Sequence, residues 1–272
     1  KDYMKNIYLS TLAFKNDIWT TYKNCLNFNI GLEFSSGVPY NNDNLNAFKT
    51  ISKPKLSHNY FPAPKKEFVL NLASKNETIR RRSIEHCIQN LELSAKYKTE
   101  FYAAHAGFCL DPGPSQLGKK ILSISAFSKT EHFKIFLLSV EEILAVAEKL
   151  EVLFLIENNV LSKLNLKANK IENPFLCCSS DDIIKLFGSI KSNFFGLLLD
   201  TGHLKVSTNS LNLDLVEEYT KIRNFVKAIH HSDNDGLNDS NQIISEKYWF
   251  LDFLKNHKDI PHIIETKDMS NS

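Results

Sequence analysis

The stretch EHFKIFLLSVEEILAVAEKLEVLFLIEN, residues 131–158, carries two periodicities back to back. Phe136, Val140, Ile143, Leu144, Ala147 and Leu150 recur at intervals of three and four, which places them on one face of a helix. From Val152 the pattern becomes an unbroken apolar run that ends in Glu157 and Asn158. A run of that length without polar alternation reads as a strand buried on both faces, as in parallel sheets flanked by helices. A helix feeding directly into such a strand is half of a β–α–β crossover.

The same alternation recurs outward along the chain. Strands are predicted over residues 7–13, 30–35, 55–60, 100–106, 152–158, 195–201, 228–233 and 262–266. Helices are predicted near residues 16–27, 42–48, 76–96, 131–150, 180–190, 211–225 and 244–256. The segment 76–96 opens at Asn76 as a cap and carries Ile79, Ile84, Ile88, Leu91 and Ala95. Eight strands alternating with helices imply parallel pairing, and eight close naturally into a ring, so the expected fold class is α/β, a (β/α)8 TIM barrel. An open doubly wound sheet usually has fewer strands, and no GxGxxG or GxxxxGK[ST] loop is present to support one. Residues 107–130, with Asp111-Pro112-Gly113-Pro114, form a long loop expected to act as a lid. Six residues follow the last predicted strand, so a complete eighth helix is not expected, and the uncovered flank suits a homodimer. With no internal repeat, low-complexity tract or linker, residues 1–272 are read as a single domain.

Composition narrows the function classes. At 272 residues and 43% hydrophobic, the chain has the material for a sizeable core. No apolar run approaches the roughly 18 residues of a membrane span, so no membrane role is expected. Residues Lys1 to Phe14 lack the apolar core and cleavage pattern of a signal peptide. The five cysteines (Cys25, Cys87, Cys109, Cys177 and Cys178) are odd in number and form no CxxC. Free thiols and a cytoplasmic location are the expectation. Basic and acidic residues nearly balance, 33 against 31, and only Arg80, Arg81, Arg82 and Arg223 are arginines. Nucleic acid is not an expected partner for such a surface, and the Arg80-Arg81-Arg82 run reads as the solvated face of a helix.

The chemistry is concentrated at the strand ends, where a barrel of this kind assembles its site. The third strand ends in His58, the fourth in His105, the fifth in Glu157, the sixth in Asp200 with His203 just beyond, the seventh in His230-His231, and the eighth in Glu265. Carboxylates packed together in an apolar mouth repel one another and lose hydration. A divalent cation removes that penalty. Two Glu, one Asp and one His form a mixed oxygen and nitrogen set suited to Mn²⁺, Mg²⁺, Co²⁺ or Zn²⁺, and His58 and His105 add imidazoles that favour Zn²⁺. Period-two alternation places Glu157 with Leu155 and Leu153, and Asp200 with Leu198 and Gly196; it lets only one of His230 and His231 point inward. It also sets His262 opposite Glu265, at the expected surface, while His86, His132 and His257 fall in or near helices and read as structural.

Taken together, Ile156-Glu157-Asn158, Leu199-Asp200-Thr201-Gly202-His203 and His230-His231-Ser232-Asp233-Asn234 resemble the xylose-isomerase-like TIM barrels. That superfamily includes sugar phosphate isomerases and epimerases and the endonuclease IV type of AP endonuclease. The segment from His58 through Asn71-Leu72-Ala73-Ser74 and the His105-Ala106-Gly107 turn resemble it too. The isomerase resemblance implies one Mn²⁺-like ion held by Glu157, Asp200, His230 and Glu265, with Glu157 and Glu265 as the catalytic pair that removes and returns a proton. The endonuclease resemblance implies three zinc ions, through His58, His105, His203 and an Asp-x-His pair. Here that pair reads Asp239-Ser240-Asn241, and Asn is a poor zinc ligand. The expectation is therefore one or two ions, with His58, His105, His203 and Asp239 serving a second ion or the substrate. The activity implied is isomerisation or epimerisation of a sugar or sugar phosphate by proton abstraction next to a carbonyl. An AP endonuclease and a polyol dehydratase are the alternatives.

Overall fold

The computed structural model describes residues 6–121, 126–168, 172–267 and 269. Eight strands pair in sequence order, all parallel, into a closed ring: β1 (Ile7–Ser10), β2 (Gly31–Phe34), β3 (Lys55–His58), β4 (Phe101–His105), β5 (Leu153–Glu157), β6 (Phe195–Asp200), β7 (Val226–His231) and β8 (His262–Ile264). The (β/α)8 barrel expected from the alternation is the fold observed. Residues 122–125 of the expected lid lie outside the described residues. Around the ring run α1 (Ile18–Phe28), α2 (Asn42–Thr50), α3 (Glu77–Tyr97), α4 (Lys129–Leu150), α5 (Lys163–Ala168), α6 (Ser180–Ser189), α7 (Thr201–Leu211) and α8 (Leu215–Ile222). Their starts are written locally: Asp17, Asn76 and Ser128 each accept a backbone N–H in the first turn of α1, α3 and α4. No helix among the described residues is long and apolar enough to cross a membrane.

The alternation along each strand divides the molecule into two cores. Inward-facing Leu56, Ala103, Leu155, Leu198, Ala228 and Ile263 fill the barrel above Tyr8 and Phe101. The other faces, including Tyr102, Phe154, Ile156, Leu197, Leu199 and Ile229, pack against helices through Ile84, Leu91, Phe136, Val140 and Ile143. Gly31 has no side chain for a packing reason: a Cβ there would sit 2.3 Å from the Tyr8 ring.

Three local expectations differ from what forms. Residues 11–14 make a 3-10 turn rather than extending β1. Helix α7 starts straight after β6, because Asp200 caps it by accepting from His203 N at 2.7 Å, so Thr201, the last residue of the strand predicted over 195–201, opens the helix instead. Residues 244–256 give only a 3-10 turn, Leu251–Asn256. Consecutive Tyr248, Trp249 and Phe250 all join one aromatic cluster (Trp249 and Phe250 lie 6.1 and 5.1 Å from Tyr219). An α-helix would turn neighbouring side chains onto different faces. Among the described residues no α-helix follows β8.

Asn71 ties the loop after β3 to the loop after β4. Its amide donates to Phe108 O, Leu110 O and Asp111 Oδ1, and its carbonyl oxygen accepts from Ala73 N and Phe108 N. Removing a buried amide with that many partners orphans several groups at once. Asn71→Ala is expected to lose about 2–4 kcal/mol of stability, read as a lower denaturant midpoint with unchanged slope. A midpoint equal to that of the native protein would show that the two loops hold without it.

Candidate metal centre

At the C-terminal mouth, inward parity brings the predicted residues together. Glu157 from β5 is the hub and is almost fully buried. Its Oε2 lies 3.1 Å from His58 Nε2 and 3.4 Å from His105 Nδ1, and its Oε1 lies 3.5 Å from His230 Nδ1 and from His203 Nδ1. His230 Nδ1 also lies 3.1 Å from Glu265 Oε2 and 3.9 Å from Asp200 Oδ2. Among the described residues, three groups have ligand atoms within 4.8 Å of one another. The first is Glu157, Asp200, His230 and Glu265, and the second is His58, His105 and Glu157. These two share Glu157. In the third, Glu33, His58 and His230, the Glu33 carboxylate and His230 Nε2 already bond each other. His203 Nε2 faces Asp239 Oδ2 at 3.3 Å, at the edge of the second group. Of the vicinal pair, His230 faces in and His231 faces out.

The backbone around each ligand explains its aim. Asp200 spends Oδ1 on the cap of α7, which leaves Oδ2 facing the cluster. Asn158 locks Asp200 further, accepting from its N–H at 2.8 Å and donating to its carbonyl at 3.0 Å. Gly202 admits no Cβ, which would fall 2.4 Å from Ser232 Oγ. His203 Nδ1 donates to the Asn158 carbonyl at 2.8 Å, which turns Nε2 towards Asp239.

Glu33, on β2, belongs to the site and was missed in the sequence. It is 0% exposed, and its Oε2 accepts from His230 Nε2 at 2.8 Å. An ionised carboxylate only accepts, so His230 Nε2 carries a proton, and Nδ1, which faces Glu157, Asp200 and Glu265, is the atom that can hold an ion once its own proton leaves. The signal was a single carboxylate inside Gly31-Leu32-Glu33-Phe34, an otherwise apolar strand that does not end on it.

The donor set fits a divalent cation. Asp200 Oδ2 and His230 Nδ1, 3.9 Å apart, are buried without a hydrogen-bond partner, and so is Glu157 Oε2, on the side of His58 and His105. Such groups are normally satisfied, and cations bound at the two groups that share Glu157 would satisfy them. The charges agree. Burial, opposed by His203 and reinforced by Glu157 and Glu265, pushes the Asp200 carboxyl up to about 7. Burial works against the Glu157 charge as well, but His105, His58 and His230 hold it well below the usual range. Burial drives His105 down to about 4, while His230 is held well above its usual value, against burial, by Glu33, Glu265 and Glu157.

A pH dependence follows. An ion needs Asp200 ionised and the His230 Nδ1 lone pair free, and both groups hold protons more tightly than usual. Protons therefore compete with the ion, and affinity falls as pH drops through about 7. Calorimetric titration with Mn²⁺ in buffers of different ionisation enthalpy is expected to show proton release and a Kd at least about tenfold weaker at pH 6 than at pH 8. Equal affinities at the two pH values contradict this.

A cavity of about 220 Å³ opens above the cluster, lined on the other side by Leu12, Ser35, Ser36, Gly37 and Lys267. A larger cleft of about 520 Å³ lies at the opposite end, between Phe187, Lys191 and Phe225, away from every ligand group. We place the site at the smaller cavity, since chemistry on this fold occupies the C-terminal face.

The remaining histidines divide differently from the sequence expectation. His262 is 1% exposed, not at the surface, and His86, His132, His231 and His257 are buried too. Outward from the barrel axis means towards the helix layer, not towards water.

A parallel barrel with carboxylates and imidazoles converging at its mouth defines a class of metal-binding α/β barrels. Residues 31–266 match the family described as the xylose isomerase-like TIM barrel, and the chain belongs to it. Solved structures of the same fold include a D-tagatose 3-epimerase-like protein (18% identity, TM-score 0.71, covering 98% of this chain and 92% of that one). A 3-keto-D-glucoside 4-epimerase from E. coli is similar too (14%, 0.68, 98% and 94%), as is endonuclease IV from Thermus thermophilus (14%, 0.56, 95% and 91%). The similar structures are mostly sugar epimerases, with a probable 3-DHS dehydratase also among them. No curated protein matches the chain in sequence.

Proposed function

We propose that the protein is a metal-dependent isomerase or epimerase of a small sugar or sugar phosphate, working by proton transfer at carbon next to a carbonyl. The observation that carries this reading is the convergence of Glu157, Asp200, His230 and Glu265 beneath a small cavity. When bound, a Mn²⁺- or Zn²⁺-like ion supplies charge stabilisation for the substrate oxygens. Glu157, Asp200, His230 and Glu265 hold it, and Glu33 keeps the His230 lone pair turned towards it.

Glu157 and Glu265 approach His230 Nδ1 from β5 and from the end of β8, at 3.5 and 3.1 Å. Carboxylates on two sides of one substrate position can take a proton from one carbon face and return it at another. Glu157 is suited to the base role because neighbouring imidazoles keep it ionised despite burial. His203, with Nε2 at the cavity edge beside Asp239, orients a substrate hydroxyl. A small polar ligand suits both the cavity and the balanced surface charge.

The endonuclease reading draws on His58, His105 and Glu157 as a second ion group. Against it, Asn241 stands where that resemblance requires the histidine of an Asp-x-His pair, and its amide donates to Glu265 O at 3.4 Å. Solvent-deuterium incorporation into a panel of ketoses, aldoses and their phosphates, with Mn²⁺-loaded protein, is expected to label at least one sugar. Labelling of none, together with cleavage of an abasic-site oligonucleotide, would overturn the isomerase reading.

A further inference from the structure

Behind β6, β7 and β8 runs a buried chain of hydrogen bonds that the proposed chemistry does not use. Thr201 Oγ1 lies 2.6 Å from Tyr248 Oη, Tyr248 Oη lies 2.9 Å from His231 Nδ1, and His231 Nε2 lies 2.8 Å from His262 Nδ1. The chain ends where His262 Nε2 meets the His257 carbonyl at 2.8 Å. All four side chains are buried.

That last bond sets every proton. A carbonyl only accepts, so His262 Nε2 donates and its Nδ1 carries the lone pair. His231 Nε2 must then donate to His262, which leaves His231 Nδ1 as the acceptor for Tyr248 O–H. Tyr248 oxygen in turn accepts from Thr201. One uncharged arrangement satisfies all four groups.

The position of this chain is informative. Thr201 follows Asp200, His231 follows His230, and His262 stands three residues before Glu265. Thr201 Oγ1 also accepts from Ser232 N at 3.4 Å, and Glu265 N donates to the His231 carbonyl at 3.0 Å. The polar chain therefore laces together the outer sides of the three strands that carry Asp200, His230 and Glu265 inside. By contrast, the outer faces of β5 and of β6 before Thr201 are packed with apolar side chains such as Phe154, Ile156 and Leu197. Burying this many polar groups is worthwhile only where a fixed geometry is needed.

We propose that Thr201, Tyr248, His231 and His262 are positioning residues for the metal centre. The three carboxylates Glu157, Asp200 and Glu265 repel one another before an ion arrives. The laced outer side keeps β6, β7 and β8 from spreading, so the ligand atoms are already placed when the ion binds. This rests on the metal reading above and goes beyond it.

The test is Mn²⁺ affinity, measured by competition with a chelating dye, beside the melting temperature of the ion-free protein. Tyr248→Phe removes one hydroxyl and is expected to weaken Mn²⁺ binding about tenfold. Tyr219→Phe removes a neighbouring buried hydroxyl that bonds His257 Nε2 at 2.8 Å, outside the chain, and is expected to lower the melting temperature while leaving Mn²⁺ affinity within twofold. Should Tyr248→Phe not fold, the other end serves: Thr201→Val is expected to weaken binding about tenfold, and Thr201→Ser, which keeps the hydroxyl, to restore it. Native affinity in Tyr248→Phe or Thr201→Val, or an equal loss in Tyr219→Phe, overturns the proposal. A native protein that binds no Mn²⁺ would instead overturn the metal reading itself.

Discussion

Glu157→Gln is expected to abolish solvent-deuterium exchange, with a loss of about 10³-fold or more, while the fold stays intact. Removal of a general base alone typically costs about 10²–10⁴-fold. Here the same side chain also belongs to two ion-holding groups, so its charge is lost from both. Gln preserves the volume, and Glu157 packs over Leu155 and beneath the imidazoles without supporting the helix layer. Removing its charge relieves Asp200, whose carboxyl is pushed up partly by Glu157, but it also takes a counter-charge from His58 and His230. The ion-free variant should therefore stay folded with a lower melting temperature than the ion-free native protein, and it should need more Mn²⁺ to saturate. Unchanged exchange in this variant would refute Glu157 as the base.

Chelation is the second large effect. Stripping the ion at pH 8 is expected to eliminate exchange and to lower stability, and added Mn²⁺ is expected to restore both. With free ion at a hundred times its Kd, the stabilisation lost is about 2.7 kcal/mol. The sign follows from the charges. Above about pH 7 Asp200 loses its proton, and its charge then adds to that of Glu157 in the same mouth, beyond what His203 and His230 offset. Below that pH a proton on Asp200 takes over part of the ion's role, so the stability difference between loaded and stripped protein narrows. Exchange that survives in protein shown to contain no ion would remove the metal from the account.

The barrel was legible because its strands are buried on both faces and so read as unbroken apolar runs, of which residues 152–158 are the plainest. The strand-end rule then found His58, His105, Glu157, Asp200, His230 and Glu265, which the structure brings to one mouth. It passed over Glu33 because that residue sits inside β2, and its role depends on a ring nitrogen 197 residues away. Parity let only one of His230 and His231 face the barrel axis, the family resemblance chose His230, and parity turned His262 away. Equating that direction with solvent was the error, since the helix layer and the Tyr248–Phe250 segment cover them. The 244–256 segment resisted reading for a related reason: three consecutive aromatic side chains pack to one side, an outcome set by tertiary contacts rather than by helical periodicity.

The most direct measurement is the number of ions each chain holds. Ion-free protein titrated with Mn²⁺ and with Zn²⁺, then analysed for metal content, is expected to saturate at one or two ions per chain. The first should fill the group of Glu157, Asp200, His230 and Glu265 and be lost in Asp200→Asn. A protein that retains no ion, or one that takes up three zinc ions, contradicts the account.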